Sequence, residues 1–188
     1  MATLTSAANG TMALFTKRFC GALVLDPVTF EEVEADRHAG GQAALVVLLA
    51  GCAGGFAALG SSSMTPLTFL AGLVATLGAW VVWALLITAI GTLMLPEPQT
   101  NSRPTELLRT MAFAAAPGIF YAFGAMQTAL PFAFVLASVW MIAATVLAVR
   151  QALDYRSLTR AIVVCVAAWL VTFGIVATVG MLLARPVS

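Results

Sequence analysis

From residue 39 to residue 96 the chain carries no charged side chain and no histidine, and the same is true of residues 110–149 and 161–184. A chain built this way cannot wrap itself in polar surface. Water-soluble domains carry about 25% charged residues. Here 9% are charged and 61% hydrophobic, with a mean hydropathy of +1.00. The medium that fits is lipid, where every backbone N–H and C=O must be satisfied within the chain, so the apolar stretches read as helices. One crossing takes roughly 20 residues, because a helix rises about 1.5 Å per residue through a hydrocarbon layer about 30 Å thick.

Glycine, proline and polar breaks divide the stretches into five spans, at about 42–59, 70–95, 107–123, 130–149 and 160–183. The expected fold is all-α: a polytopic bundle of five transmembrane helices behind an N-terminal amphipathic, juxtamembrane segment. Residues 1–10 read as disordered, 11–40 as a cytoplasmic segment and 41–188 as one transmembrane domain. The second stretch exceeds a perpendicular crossing, which predicts tilt. Pro96, Pro98 and Pro104 mark the clearest loop. Short turns are expected over 60–66 and 124–128.

Ahead of the first span, Met12, Phe15, Phe19 and Leu23 recur at helical spacing, with Lys17 and Arg18 on another face. That pattern fits a helix lying in the membrane interface, or one packed on the bundle. Asp26 and Pro27 read as N-cap and first residue of a second short helix. Its Glu31, Glu32, Glu34 and Asp36 form an acidic side, read either as a solvated face or as a docking place for a partner.

Charge orients the chain. With five spans, Lys17, Arg18, Arg37, Arg103, Arg109, Arg150, Arg156 and Arg160 fall on one side, and of the 9 basic residues only Arg185 falls on the other. Basic loops stay in the cytoplasm. The N-terminus is therefore expected to be cytoplasmic and the C-terminus not. The first ten residues lack the basic and apolar regions of a signal peptide.

No ionisable residue lies in the middle of a span, so ion relays and intramembrane proteolysis have no residues to use. The single histidine, His38, sits at the membrane surface, and no Gly-rich phosphate loop is present. Neither a catalytic residue, nor a metal ligand set, nor a cofactor site is expected. Cys20, Cys52 and Cys165 are far apart and read as small hydrophobes. Net charge is +1, without the basic surface that nucleic acid requires.

The remaining features concern helix contacts. Gly51 and Gly55 form a Gly-x-x-x-Gly pair, read as a packing face within the bundle or between copies. Pro117, followed by Gly118, predicts a kink and a candidate hinge. Thr76, Thr88, Thr92, Ser138, Thr145, Thr172 and Thr178 lie inside spans, as hydrogen-bonding glue or as the lining of a path. Trp80, Trp83, Trp140 and Trp169 lie deep in their spans, away from the interfacial belts, where large rings fill space between helices.

In order along the chain, these residues resemble the Yip-domain family of membrane proteins, named for Ypt/Rab interaction. The resemblance rests on Asp26, Pro27 and Phe30 before the first span; Arg103 to Arg109 leading into Ala115, Ala116, Pro117 and Gly118; Trp140 running to Arg150; and Ser157, Arg160, Ala161 and Ile162 opening the last span. It covers roughly residues 20–183. It implies five helices with a cytoplasmic N-terminus. The Asp-Leu-Tyr-Gly-Pro segment of eukaryotic members has no equivalent here, so Rab binding is not carried over. The short N-terminus resembles the bacterial branch and points to the inner membrane.

The expected function is therefore non-enzymatic: an integral membrane protein working through helix contacts, organising membrane or binding a partner. Its expected partners are the lipid bilayer and other membrane proteins or itself. The alternatives are an accessory subunit of a larger membrane complex and a permease or channel for a neutral solute.

Overall fold

The computed structural model describes residues 2–58, 65–100, 103–126 and 130–183. All regular structure among them is helical. The helices are α1 (Ala2–Leu23), α2 (Pro27–Ala35), α3 (Gly40–Ala58), α4 (Pro66–Ala89), α5 (Pro104–Ala114), α6 (Leu130–Ala152) and α7 (Leu158–Leu183). A 3-10 turn at Arg37–Ala39 leads into α3, and a π-helical turn at Ile90–Met94 prolongs α4. A 3-10 segment, Ala116–Ala125, follows α5.

Four helices are long and apolar enough to cross a membrane: α3, α4 with its π-helical turn, α6 and α7. The chain is an integral membrane protein by this measure and by its composition. The segment read as the third span is not a continuous transmembrane helix. It is the 11-residue α5, then ten residues of 3-10 helix. Pro117 is the physical reason: it supplies no N–H and its ring collides with the preceding turn. After Ala115 the bonding shifts to partners three residues back, with Gly118 N–H donating to the Ala115 carbonyl at 2.9 Å.

Packing supports this broken segment along its length. A Cβ on Gly118 would sit 2.8 Å from that of Ala50 and 3.3 Å from the Met141 sulfur, so glycine is what lets it lie between α3 and α6. Phe120 packs on Trp140, Tyr121 on Phe134, and the Tyr121 and Ser138 hydroxyls are 3.1 Å apart. The segment and α6 thus run antiparallel.

The N-terminal lead-in packs on the bundle. Residues 2–10, expected to be disordered, are helical within α1; Ala and Leu are strong helix formers, and each added turn bonds to the one before. Phe15, Phe19 and Leu23 pack against the core that holds Phe30, Val33, Val46 and Phe113, while Met12 is exposed. Helices α1 and α2 approach so closely at Gly21 that a Cβ would fall 2.0 Å from the Thr29 hydroxyl. The turn between them closes on Leu25 at φ 59°, with Asp26 N–H donating to the Gly21 carbonyl at 2.9 Å. Asp26 then caps α2, accepting from the Val28 N–H at 3.1 Å and the Thr29 hydroxyl at 2.8 Å, with Pro27 in the first turn as its sequence predicts.

The burial is lopsided. Among the described residues, those buried in α4 and its π-helical turn are Ala84, Ile87, Thr88, Ile90 and Gly91, near the end; in α7 they are Ala161, Val164 and Ala168, near its start. Both places lie at the end of the bundle that carries the described charged residues, here called the charged end. The turn read over 60–66 falls largely outside the described residues, as does Arg185; of the turn read over 124–128, Gly124 and Ala125 end the 3-10 segment, Met126 caps it, and 127–128 lie outside the described residues.

Tyr155 locks this end. Its hydroxyl lies 2.8 Å from the Gly91 carbonyl and 2.9 Å from that of Leu95, carbonyls of the π-helical turn. A Cβ on Gly91 would meet Leu153 at 2.4 Å, so the strand of contacts needs glycine there. Tyr155→Phe is expected to cost about 1 kcal/mol, and Gly91→Ala about 1–3 kcal/mol from overpacking. Both should appear as lowered thermal unfolding midpoints in detergent. An unchanged midpoint for Tyr155→Phe would show that the hydroxyl holds nothing.

Candidate functional site

Among the described residues, polar or cavity-forming residues come together in a cap at the charged end and in a space between the helices that starts at mid-bundle. The cap begins with α2. Its three acidic residues, and Asp36 at its C-cap, have different surroundings. Glu32 pairs with Lys17 of α1 at 2.8 Å, an exposed pair that contributes little by itself. Asp36 pairs with Arg18 at 2.9 Å, and Arg18 also donates to the Gln42 side chain at 3.0 Å. Asp36 further accepts from the His38 N–H, and that bond, with Arg18 beside it, holds its carboxyl below the usual range. Glu31 is exposed. Glu34 turns toward Asp154 and Glu106; burial first, then these like charges, push it up to about 7, against partial relief from Arg109.

Arg109 ties α2 to α5. Its guanidinium is buried and donates through Nε to the Val33 carbonyl at 3.2 Å and through Nη2 to the Glu34 carbonyl. These are among the last carbonyls of α2, which have no partner within the helix and carry its negative dipole end. On α5 itself, Pro104 occupies the first turn and the Glu106 carboxylate accepts from the Arg103 N–H at 2.8 Å.

A second knot joins the loop after α4 to the loop before α7. Glu97 faces the Arg160 guanidinium at 3.4 Å and accepts from the Arg156 N–H at 3.1 Å and from Gln99. The Arg156 N–H leads in holding its carboxyl below the ordinary range. Arg160 also donates to the Pro96 carbonyl at 2.6 Å, and Gln99 to that of Asp154 at 3.1 Å.

The residues expected to make helix contacts divide differently. Gly55 is a close-approach position, because a Cβ would lie 2.2 Å from the Phe69 ring of α4. Gly51 lines a cavity of about 570 Å³, as does Gly54, whose added Cβ would meet nothing within 4 Å. Walls come from α3 to α7, including Phe69, Trp80, Trp83 and Met141. Pro117 and Gly118 are buried in packing against α3 and α6, so the break is built into the core. Thr88, Thr92, Thr145, Thr172 and Thr178 each donate to the carbonyl four residues back in their own helix, and Ser138 reaches across to Tyr121. The Thr76 side chain lies outside the described residues. Trp169 is exposed and stacks on Phe173. Among the described residues the three cysteines are free, and no group of His, Cys, Asp and Glu is arranged to hold a metal.

The family model of the Yip1 domain matches residues 21–179. The chain belongs to the Yip1 domain family. The matched stretch begins at Gly21, where α1 meets α2, and takes in both knots of the cap and every wall of the cavity. No curated protein and no solved structure matches the chain.

Within this Yip1 domain, the sequence marked Arg109 and Arg160 as counted charges and as points of family resemblance, not as ties between elements, and Tyr155 was passed over. Arginine or tyrosine beside a break between apolar helices is the signal available for such roles, since orphaned carbonyls gather there.

Glu34 gives the cap a pH dependence. Its folded value of about 7 lies above the ordinary 4.5, so the folded protein holds that proton more tightly than the unfolded chain. Its contribution is complete below the ordinary carboxylate range and is lost as pH rises through about 7. Stability should thus decline between about pH 5 and pH 8, and Glu34→Gln should flatten that decline. Thermal unfolding of both proteins across this range is the check; parallel curves would remove Glu34 from the account.

Proposed function

We propose that this Yip1 domain protein is a non-enzymatic membrane protein that works by contact between helices, organising membrane or holding a second membrane protein. The observation that carries this is the thin packing of α7. Of its apolar stretch 17% is buried in the bundle, against 28% in each of the other three long helices, so α7 has the most surface to offer. Ile162, Val163, Val166, Trp169, Leu170 and Phe173 are exposed along it. In lipid such surface costs nothing by itself, and association rests on packing and shape.

Five crossings complete this reading. Eleven α-helical residues at about 1.5 Å and ten 3-10 residues at about 2.0 Å give roughly 36 Å, enough for the hydrocarbon layer. The antiparallel run against α6 supports a fifth crossing, and the charged end, by the positive-inside rule, faces the cytoplasm. The cavity favours a second reading, passage of a neutral solute. Against it, Leu107, Phe113, Val149 and Leu153 are fully buried in the half toward the charged end, where a path would have to continue.

Single cysteines placed in turn along α7, in a chain whose native cysteines are replaced, test the proposal by crosslinking in native membranes. Adducts are expected at exposed positions such as 163, 166 and 170 and not at 161, 164 and 168. A homodimer adduct means self-association, and a fixed heterologous adduct means an accessory subunit. Uniform absence of adducts along the helix would contradict a contact role for α7.

A further inference from the structure

We propose that the cavity between the helices is a binding site for one long hydrocarbon chain of a membrane lipid. Its volume of about 570 Å³ lies within the range of roughly 300–1,000 Å³ typical of small-molecule sites. It exists because α3 presents Ala50, Gly51 and Gly54 where larger side chains would fill the space. Gly54 is the informative one. Gly55 and Gly118 are glycines that close neighbours demand, whereas at Gly54 an added Cβ would meet only open space. The gap beside it is not an artefact of two helices pressed together.

The walls say what the space accepts. Thr145 and Thr172 line it, but each hydroxyl donates to its own helix, at 2.8 and 2.9 Å. The Tyr121 hydroxyl is engaged with Ser138. The Trp80 indole nitrogen is buried and without a partner among the described residues, so the surface that ring turns to the space is carbon. Phe69, Trp83 and Met141 are apolar, and a thioether adapts to irregular contours. Among the described residues, none that lines the site is charged. Water gains little in such a place, since it needs two to four polar partners. An empty space forfeits the dispersion contacts of every wall atom. The cavity reaches from the middle of the bundle, at Met111 and Thr145, away from the charged end, at a level where the surrounding solvent is lipid chains. A hydrocarbon chain is the occupant that chemistry and surroundings share. An acyl chain of a phospholipid and the tail of an isoprenoid lipid both supply it.

The test is native mass spectrometry of the full chain released from its own membrane in mild detergent. The wild type should retain one lipid per chain, and the adduct mass separates a phospholipid from an isoprenoid; either supports the site. Gly54→Phe fills the space from α3 and Thr172→Phe from α7. Each should reduce lipid occupancy by about tenfold or more. The thermal unfolding midpoint of Gly54→Phe should stay close to wild type, because a Cβ there meets no protein atom within 4 Å and the ring takes the place of the lipid chain. A folded wild type without a lipid adduct, or filled variants that melt normally and retain it equally, would overturn the proposal. If neither variant folds, a chain carrying Trp140→Phe and Trp169→Phe is titrated in micelles with a brominated-acyl phospholipid and a brominated isoprenoid. Saturable quenching of Trp80 and Trp83 at one lipid per chain supports the site, and quenching that only rises linearly with both lipids overturns it.

Discussion

The guanidinium of Arg109 against the last carbonyls of α2 is the interaction on which the architecture turns. A helix end buried under a membrane bundle has carbonyls that neither the helix nor the bilayer can satisfy. An arginine supplies several donors in a fixed fork and keeps its charge. By placing that fork midway along α5, the chain fastens its N-terminal lead-in to an apolar segment that is not a continuous α-helix. The core of Phe30, Val33, Val46 and Phe113 forms around that junction.

From there the asymmetry of the bundle follows. Near the charged end, loops are tied by Glu97 with Arg160, by Arg18 with Asp36 and by the Tyr155 hydroxyl, and the helices between them share a cluster of buried apolar residues. Toward the other end the helices contribute glycine, alanine and self-bonded threonine, and a space remains. Lipid provides no pressure to close it, because apolar surface there is already solvated. Contact surface on α7 and a chain-sized cavity are thus two consequences of one arrangement, in which order is concentrated where the charges are.

The sequence made the long helices legible through their lack of charge and their breaks. α3, α4, α6 and α7 lie within a few residues of the expected spans, and Asp26 and Pro27 begin α2 as read. The third span was legible as apolar but not in its form. A proline in a helical pattern predicts a kink, whereas ten residues of 3-10 helix depend on neighbours, Ala50 and Met141 beside Gly118, that no local pattern encodes. The acidic residues of α2 and its C-cap looked alike in sequence, but what they face, Lys17 and Arg18 as partners and Asp154 as a like charge, comes from other elements. Gly51 and Gly55 read as one motif, yet only the fold separates a glycine that Phe69 requires from one that borders open space.

Hydrogen–deuterium exchange of the full chain in lipid nanodiscs, with wild type beside Arg109→Met, addresses the junction most directly. Methionine keeps much of the volume and removes every donor. Losing hydrogen bonds to a charged group, at about 1.5–3 kcal/mol, predicts exchange in α2 and the adjoining end of α1 that is faster by about tenfold or more, with the centres of α6 and α7 unchanged. Protection of α2 equal to wild type would contradict the account, since the lead-in would then be held by apolar contact alone.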